Sequence, residues 1–232
     1  MEASLNNKAV FVEFYGIPAS GKSTISHYMA NRLRDEGLDV CEPTYAVTNI
    51  RFKFLRGFIK LMELIRYKNK NPQNYKRLMN IIYDNGHGGI EGVSHASNIA
   101  HKLNMYKLAK KGNYIIFDEG IVQSAVSLSL DNRGNYNNRA ERNEHDLNSL
   151  CSGNRNIRIY VKTSPDIAKE RMIKREKHFS RIEKLNLRER MNALKTNYKA
   201  CEDISCVKLV LDGLKDIDEN VKSCINYINK ME

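Results

Sequence analysis

The sequence predicts an α/β protein in three layers: a five-stranded parallel sheet between helices, with a helical lobe inserted in one crossover. Three observations predict it. Short apolar runs alternate with stretches of 3.6-residue periodicity. The first apolar run leads directly into the glycine-containing stretch GIPASGKST. The segment between the second and third runs, Thr44 to Lys111, is much longer than a simple crossover and holds two or three helices.

Each element has its own signal. The first strand is Ala9–Tyr15 (AVFVEFY), apolar except for Glu13. Lys22–Glu36 follows as a helix with Ile25, Tyr28, Met29 and Leu33 on one face, and Gly37 fits its C-terminal stop. Leu38–Glu42 is the second strand, Tyr114–Asp118 (YIIFD) the third, Ile157–Val161 the fourth and Val207–Leu211 the fifth. Phe52–Tyr67 is rich in Phe, Leu, Ile and Met; burial against neighbouring helices is favoured over a membrane-surface role. Ser94–Lys111 groups Ala96, Ile99, Ala100, Leu103 and Tyr106 and stops at Gly112. Ser164 and Pro165 open the helix after strand four. Asp216 and Glu219 read as a capping pair for the last helix. Asp131–Asp146 is polar enough to be a mobile loop or an exposed helix start. Together these make a single domain over 1–232, with the lobe at 44–112 and a lid region at 168–188.

A chain of this length buries a full core without disulfides or a structural metal. Its five cysteines are odd in number and lack CxxC spacing, and the N-terminus runs almost at once into a strand. They read as reduced thiols in a cytoplasmic protein. No apolar run reaches membrane-span length, so no membrane partner is expected. The formal net charge of +11 is concentrated. Nine basic residues and one acid lie between Val47 and Asn80, and nine basic and four acidic residues lie between Lys169 and Arg190. Such clusters suit nucleotide phosphates, a phosphorylated acceptor or, less favoured, nucleic acid; a solvated helix face is the bland alternative.

Residues Gly16–Thr24 carry the chemistry. The run matches G-x-x-x-x-G-K-[ST], the P-loop pattern, between an apolar strand and an amphipathic helix. Gly16 and Gly21 let the backbone bend around Ala19 and Ser20 so that amides point at phosphate oxygens, and the helix N-terminus adds partial positive charge. Lys22 reaches the β- and γ-phosphates, and the Ser23 hydroxyl is the expected Mg²⁺ ligand. Thr24 adds a second hydroxyl. Asp118 and Glu119 end strand three on the edge where open α/β sheets bind ligands. A carboxylate there holds Mg²⁺ through water or takes a proton from an acceptor hydroxyl; a helix-cap role is the alternative. Glu13 must find a partner or face a cavity. After strand four, Arg171 and Arg175 share a helix face, and Arg181 follows. Arginines placed there can close over ATP and neutralise developing charge. Arg51 and Arg56 are candidates for a phosphorylated acceptor.

This layout resembles the thymidylate kinase and deoxynucleoside kinase group of P-loop kinases. The matching pieces are FVEFYGIPASGKST, IIFDEG, IYVKTSPDIAKERMIKRE and LVLDGLKDIDENV, which span most of the chain outside 44–112. The resemblance implies ATP with Mg²⁺, a lid carrying arginines, an adenine pocket near Asp212 and Gly213, and an acceptor near the end of strand three under the lobe. The related kinases are often dimers, which makes Phe52–Ile65 a candidate dimer face. The chain departs from the group at Asp118-Glu119-Gly120, where the group carries an arginine after the acid. Acceptor identity is therefore not carried over. A nucleotide or nucleoside kinase is the first expectation. A kinase of a sugar or other small alcohol, a regulatory nucleotide-binding module and a kinase of nucleic-acid ends are the alternatives.

Overall fold

The structure, a computed structural model, describes residues 9–48, 50–108, 114–130, 135–151, 155–174, 182, 185–207 and 209–231. Five strands form one sheet: β1 (Val10–Tyr15), β2 (Val40–Cys41), β3 (Tyr114–Phe117), β4 (Arg155–Lys162) and β5 (Leu209–Asp212). All pairs are parallel and the order is β2-β3-β1-β4-β5. The central strand β1 is buried on both faces, which is why it reads as an unbroken apolar run. Its side chains alternate between two cores. Val10, Val12 and Phe14 pack with Met29, Leu33, Val221 and Ile228 on one face. Phe11 packs with Phe117, Leu103 and Tyr106 on the other, and Glu13 shares its parity.

The helices on the Val12 face are α1 (Lys22–Asp35) and, at the end of the chain, α10 (Ile217–Met231). Between β2 and β3 lie α2 (Pro43–Thr48), α3 (Lys53–Lys70), α4 (Pro72–Asp84) and α5 (Gly89–Leu108). After β3 come α6 (Ile121–Leu128) and α7 (Ala140–Asn148), and after β4 come α8 (Pro165–Lys174) and α9 (Leu187–Glu202). Strand ends move by at most two residues from the expectations. Lys208 and residues 109–113 lie outside the described residues, so the stop expected at Gly112 does too.

Two helix starts differ from the pattern reading. α5 begins at Gly89, five residues before Ser94, despite three glycines in HGGIEG. Glycine disfavours helix by about 1 kcal/mol each, so tertiary contact decides this start. A Cβ at Gly92 would lie 2.9 Å from the His87 carbonyl oxygen and 3.5 Å from Ile82, which shows how closely the α4–α5 corner folds on itself. At α10, Asp216 Oδ1 accepts from the Asp218 amide at 2.8 Å, but Glu219 pairs with Lys215 instead of closing a capping box. At α8, the Ser164 hydroxyl accepts from the Ile167 amide as expected.

α3 is buried along only one face, through Leu64 and Tyr67. Phe54, Leu55, Phe58, Leu61, Met62 and Ile65 are exposed, spaced so that they share one stripe of the helix. The expectation of a helix buried against its neighbours therefore holds for one face alone. Among the described residues no helix is long and apolar enough to cross a membrane. All five cysteines are free.

Candidate active site

The loop between β1 and α1 is built as a phosphate cradle. Gly16 and Gly21 have φ of 149° and 105°, and Ala19 holds a left-handed φ of 66°. That conformation costs a residue with a Cβ roughly 1–2 kcal/mol, so the surroundings must hold it. They do: Arg171 Nη1 donates to the Ala19 and Ser20 carbonyls at 3.3 and 3.2 Å, and Nη2 donates to the Gly213 carbonyl at 2.6 Å. The Thr163 hydroxyl also donates to the Ser20 carbonyl, at 3.2 Å. A Cβ on Gly213 would lie 2.0 Å from Thr163 Oγ1 and 2.7 Å from the Ser20 oxygen, so only glycine lets the β5 loop close onto the cradle. Gln123 Oε1 accepts from the Gly16 amide at 3.0 Å and pins the loop's other end to α6.

α1 starts on Gly21 with no side-chain cap and no acid in its first turn. α3, α4 and α6 start in the same way, so what sets α1 apart is the glycine loop that leads into it. The Thr24 and Ile25 amides close onto the Gly21 carbonyl at 3.1 and 3.0 Å, and the positive end of the helix faces the loop, where a phosphate is the complementary anion. Lys22 is buried, and its Nζ donates to the Gly16 and Ile17 carbonyls, both at 3.0 Å. The amine thus lies folded over its own loop, beside the position a phosphate would take. Ser23 and Thr24 are exposed at the loop's mouth.

The Ser23 hydroxyl donates to Asp118 Oδ2 at 2.8 Å, joining the cradle to the end of β3. Asp118 is only 7% exposed, and its Oδ1 is buried without a hydrogen-bond partner among the described residues. A lone buried carboxylate oxygen beside a hydroxyl is an incomplete polar set. A hard divalent cation completes it, since Mg²⁺ takes oxygen ligands and keeps several waters. The residues present therefore fit Mg²⁺. The hydroxyl of Ser20 is likewise buried without a partner among the described residues, inside the loop.

Glu13 is placed differently. It is 1% exposed, accepts from the Val122 amide at 3.1 Å through Oε2, and takes the Tyr106 hydroxyl on Oε1. Both oxygens are used inside the core, so Glu13, expected to find a partner or face a cavity, has found partners and anchors the start of α6. A Cβ on Gly120 would lie 2.3 Å from that carboxylate, which accounts for the glycine after Asp118-Glu119.

Around Asp118-Glu119-Gly120 stand side chains that pattern reading passed over. Lys102 of α5 is fully buried, and its Nζ donates to the Gly120 carbonyl at 3.0 Å and to Ser124 Oγ at 2.7 Å. Burial brings its ammonium down to about 8, against the opposing pull of the Glu119 and Glu13 carboxylates. Lys60 of α3 donates to Asn98 Oδ1 at 2.6 Å; burial lowers it, while Glu119 and Asp118 pull it up and Arg56 adds to the lowering. Lys60 and half-buried Arg56 therefore form a basic pair whose field meets Glu119, itself exposed. Arg51 lies exposed in the bend before α3. Glu42 follows β2 on the same sheet edge, bonded to Arg34 at 2.8 Å and His27 at 3.1 Å. The available signals were modest: a lysine next to an apolar helix stripe for Lys102, and an acid ending a strand for Glu42.

Asp212 Oδ1 accepts from the Leu214 amide at 2.9 Å and shapes the β5 loop beside Gly213. Arg171 is held by three backbone carbonyls, so what it does here is brace the loop. Arg175 and Arg181, with the rest of 175–181 and with 183–184 of the expected lid, lie outside the described residues.

The parallel sheet, its strand order and the cradle at the carboxyl end of β1 define a P-loop kinase fold. Among solved structures the chain is similar to deoxyadenosine kinase from M. mycoides with the products dCMP and a flexible dCDP bound. That match has 17% identity, covers 96% of this chain and 100% of the other, and has a TM-score of 0.51. The same enzyme with bound dATP matches at 18% identity over 94% and 99%, also with a TM-score of 0.51. No family model matches the sequence and no curated protein does. The chain is thus a divergent representative of the P-loop kinase fold.

Proposed function

We propose that the chain is an ATP- and Mg²⁺-dependent kinase that moves the γ-phosphoryl group to a small-molecule acceptor of the nucleoside or nucleotide class. The observation that carries this is the Ser23–Asp118 hydrogen bond, with Asp118 Oδ1 buried and unsatisfied beside an uncapped helix start. Ser23 and Asp118 would hold Mg²⁺ there, and the ion would supply charge neutralisation for phosphoryl transfer. Lys22 would leave the Gly16 and Ile17 carbonyls for the β- and γ-phosphates, stabilising charge that develops in transfer. The nucleotides bound by the structurally similar deoxyadenosine kinase favour this acceptor class over a sugar or other alcohol.

In this reading Asp118 serves the cation side and Glu119 the acceptor side. Glu119 takes the proton from a hydroxyl acceptor, while Lys60 and Arg56 receive a phosphorylated one. Lys102 is a positioning residue that fixes the Gly120 turn. The test is ATP consumption against nucleosides, nucleoside monophosphates, sugars, amino alcohols and oligonucleotide ends. Stimulation by a nucleoside or its monophosphate is the expected result. No stimulation above the water background by any acceptor would favour a binding module, and salt-sensitive oligonucleotide binding with end phosphorylation would favour a nucleic-acid kinase.

The exposed α3 stripe supports a homodimer, since a second copy would remove those six large apolar side chains from water. Light scattering should give a dimer mass for the native chain and a monomer mass for Phe58→Glu. An unchanged mass in the variant removes α3 from the interface.

A further inference from the structure

His87, Glu91 and His95 stand apart from the kinase site, at the corner where α4 meets α5. They follow H-x-x-x-E-x-x-x-H, so α5 carries Glu91 and His95 one turn apart, with His87 just ahead of its first turn. One donor atom from each lies within 4.8 Å of the other two. His87 Nδ1 is 3.4 Å from Glu91 Oε1, and His95 Nε2 is 3.9 Å from the same oxygen. The two imidazole rings are 4.5 Å apart. Two donors on one tetrahedral Zn²⁺ lie about 3.4 Å apart, given bonds near 2.0–2.1 Å. The first pair already meets that spacing and the second needs a small rotation of an intermediate-exposure side chain.

The hydrogen bonding on the far side of His87 points the same way. Its Nε2 lies 2.9 Å from the Leu128 carbonyl oxygen. A carbonyl only accepts, so Nε2 carries the hydrogen, and in the neutral ring Nδ1 presents a lone pair. That lone pair faces a carboxylate oxygen, with the imidazole 3% exposed. Two acceptors that face each other in a buried place need a cation, either a proton or a metal ion. Metal-bound histidine characteristically donates its second ring N–H to a backbone carbonyl, as His87 does. Imidazole donors select zinc and its neighbours over Mg²⁺ or Ca²⁺.

We propose that His87, Glu91 and His95 bind a divalent transition-metal ion of the zinc type, with water in the fourth position. The ion would hold the glycine-rich start of α5 together, while the His87 hydrogen bond to the Leu128 carbonyl joins that start to the C-terminal end of α6.

The test uses tag-free, chelator-stripped full chain, titrated with Co²⁺ and then Zn²⁺. One equivalent should bind, with the visible d–d bands of four-coordinate Co²⁺ bleached by Zn²⁺. His95→Ala should weaken Zn²⁺ binding by at least about tenfold, and Glu91→Gln serves as the second variant if the first fails to fold by circular dichroism. Asp118→Asn should leave the titration unchanged, which separates this site from the Mg²⁺ position. Less than one equivalent bound, native affinity in either folded variant, or a thiolate charge-transfer band assigning the metal to cysteine would overturn the proposal.

Discussion

Lys22→Ala is expected to lower phosphoryl transfer by about 10²–10³-fold or more, the scale for removing a preorganised charge from a transition state. The fold should survive. Lys22 donates to two carbonyls of its own loop, and each such bond contributes about 1 kcal/mol. The loop keeps its other anchors in Arg171, Thr163 and Gln123. Circular dichroism should therefore match the native chain and the melting point should fall by only a few degrees. Most of the loss should fall on kcat, because phosphoryl transfer depends on electrostatic stabilisation more than on covalent help. Native turnover in a folded Lys22→Ala chain would end the reading of this loop as a phosphate cradle.

Asp118→Asn gives the second large effect. Asparagine keeps an acceptor for the Ser23 hydroxyl, so the 2.8 Å link survives while the charge goes. With it goes the anionic partner for a cation at the cradle's mouth. A kcat loss of roughly 10²–10³-fold is expected, in the range that one removed electrostatic group produces. ATP binding should be largely retained, because the loop amides and Lys22 are untouched. The Mg²⁺ concentration for half-maximal rate should rise. Ser23→Ala combined with Asp118→Asn should cost much less than the sum of the singles, since the two act as one unit. Unchanged turnover in Asp118→Asn removes Asp118 from the mechanism.

The cradle was legible because its chemistry is local. Nine consecutive residues supply the bends, amine and hydroxyls, and the strand and helix around them show their own periodicity. Asp118 was legible for a similar reason, as an acid ending an apolar run on a known edge. Glu13 stayed open at the same level of detail. An acid in an apolar strand gives no sign of whether Tyr106 and the Val122 amide wait above it. Arg171 showed its helix face but not the three carbonyls that hold it. Lys102 lies 18 residues before the Gly120 carbonyl it bonds and Lys60 lies further back still, and nothing in their spacing points there. The early start of α5 was hidden because glycine content argues against helix, whereas the close α4–α5 corner leaves no room for a Cβ at Gly92.

By itself, then, the sequence determined the parallel α/β architecture, the phosphate cradle and the carboxylate opposite it. These rest on period-two and period-3.6 patterns and on short-range backbone bends, which neighbours in the chain settle between themselves. The tertiary structure alone decided which buried charges meet. It spent Glu13 on α6, set Lys60 and Lys102 around Glu119, left one oxygen of Asp118 unsatisfied and brought His87, Glu91 and His95 together. Those outcomes depend on the packing of α3, α5 and α6 across β1 and β3, and packing joins residues whose separation along the chain carries no periodic signal.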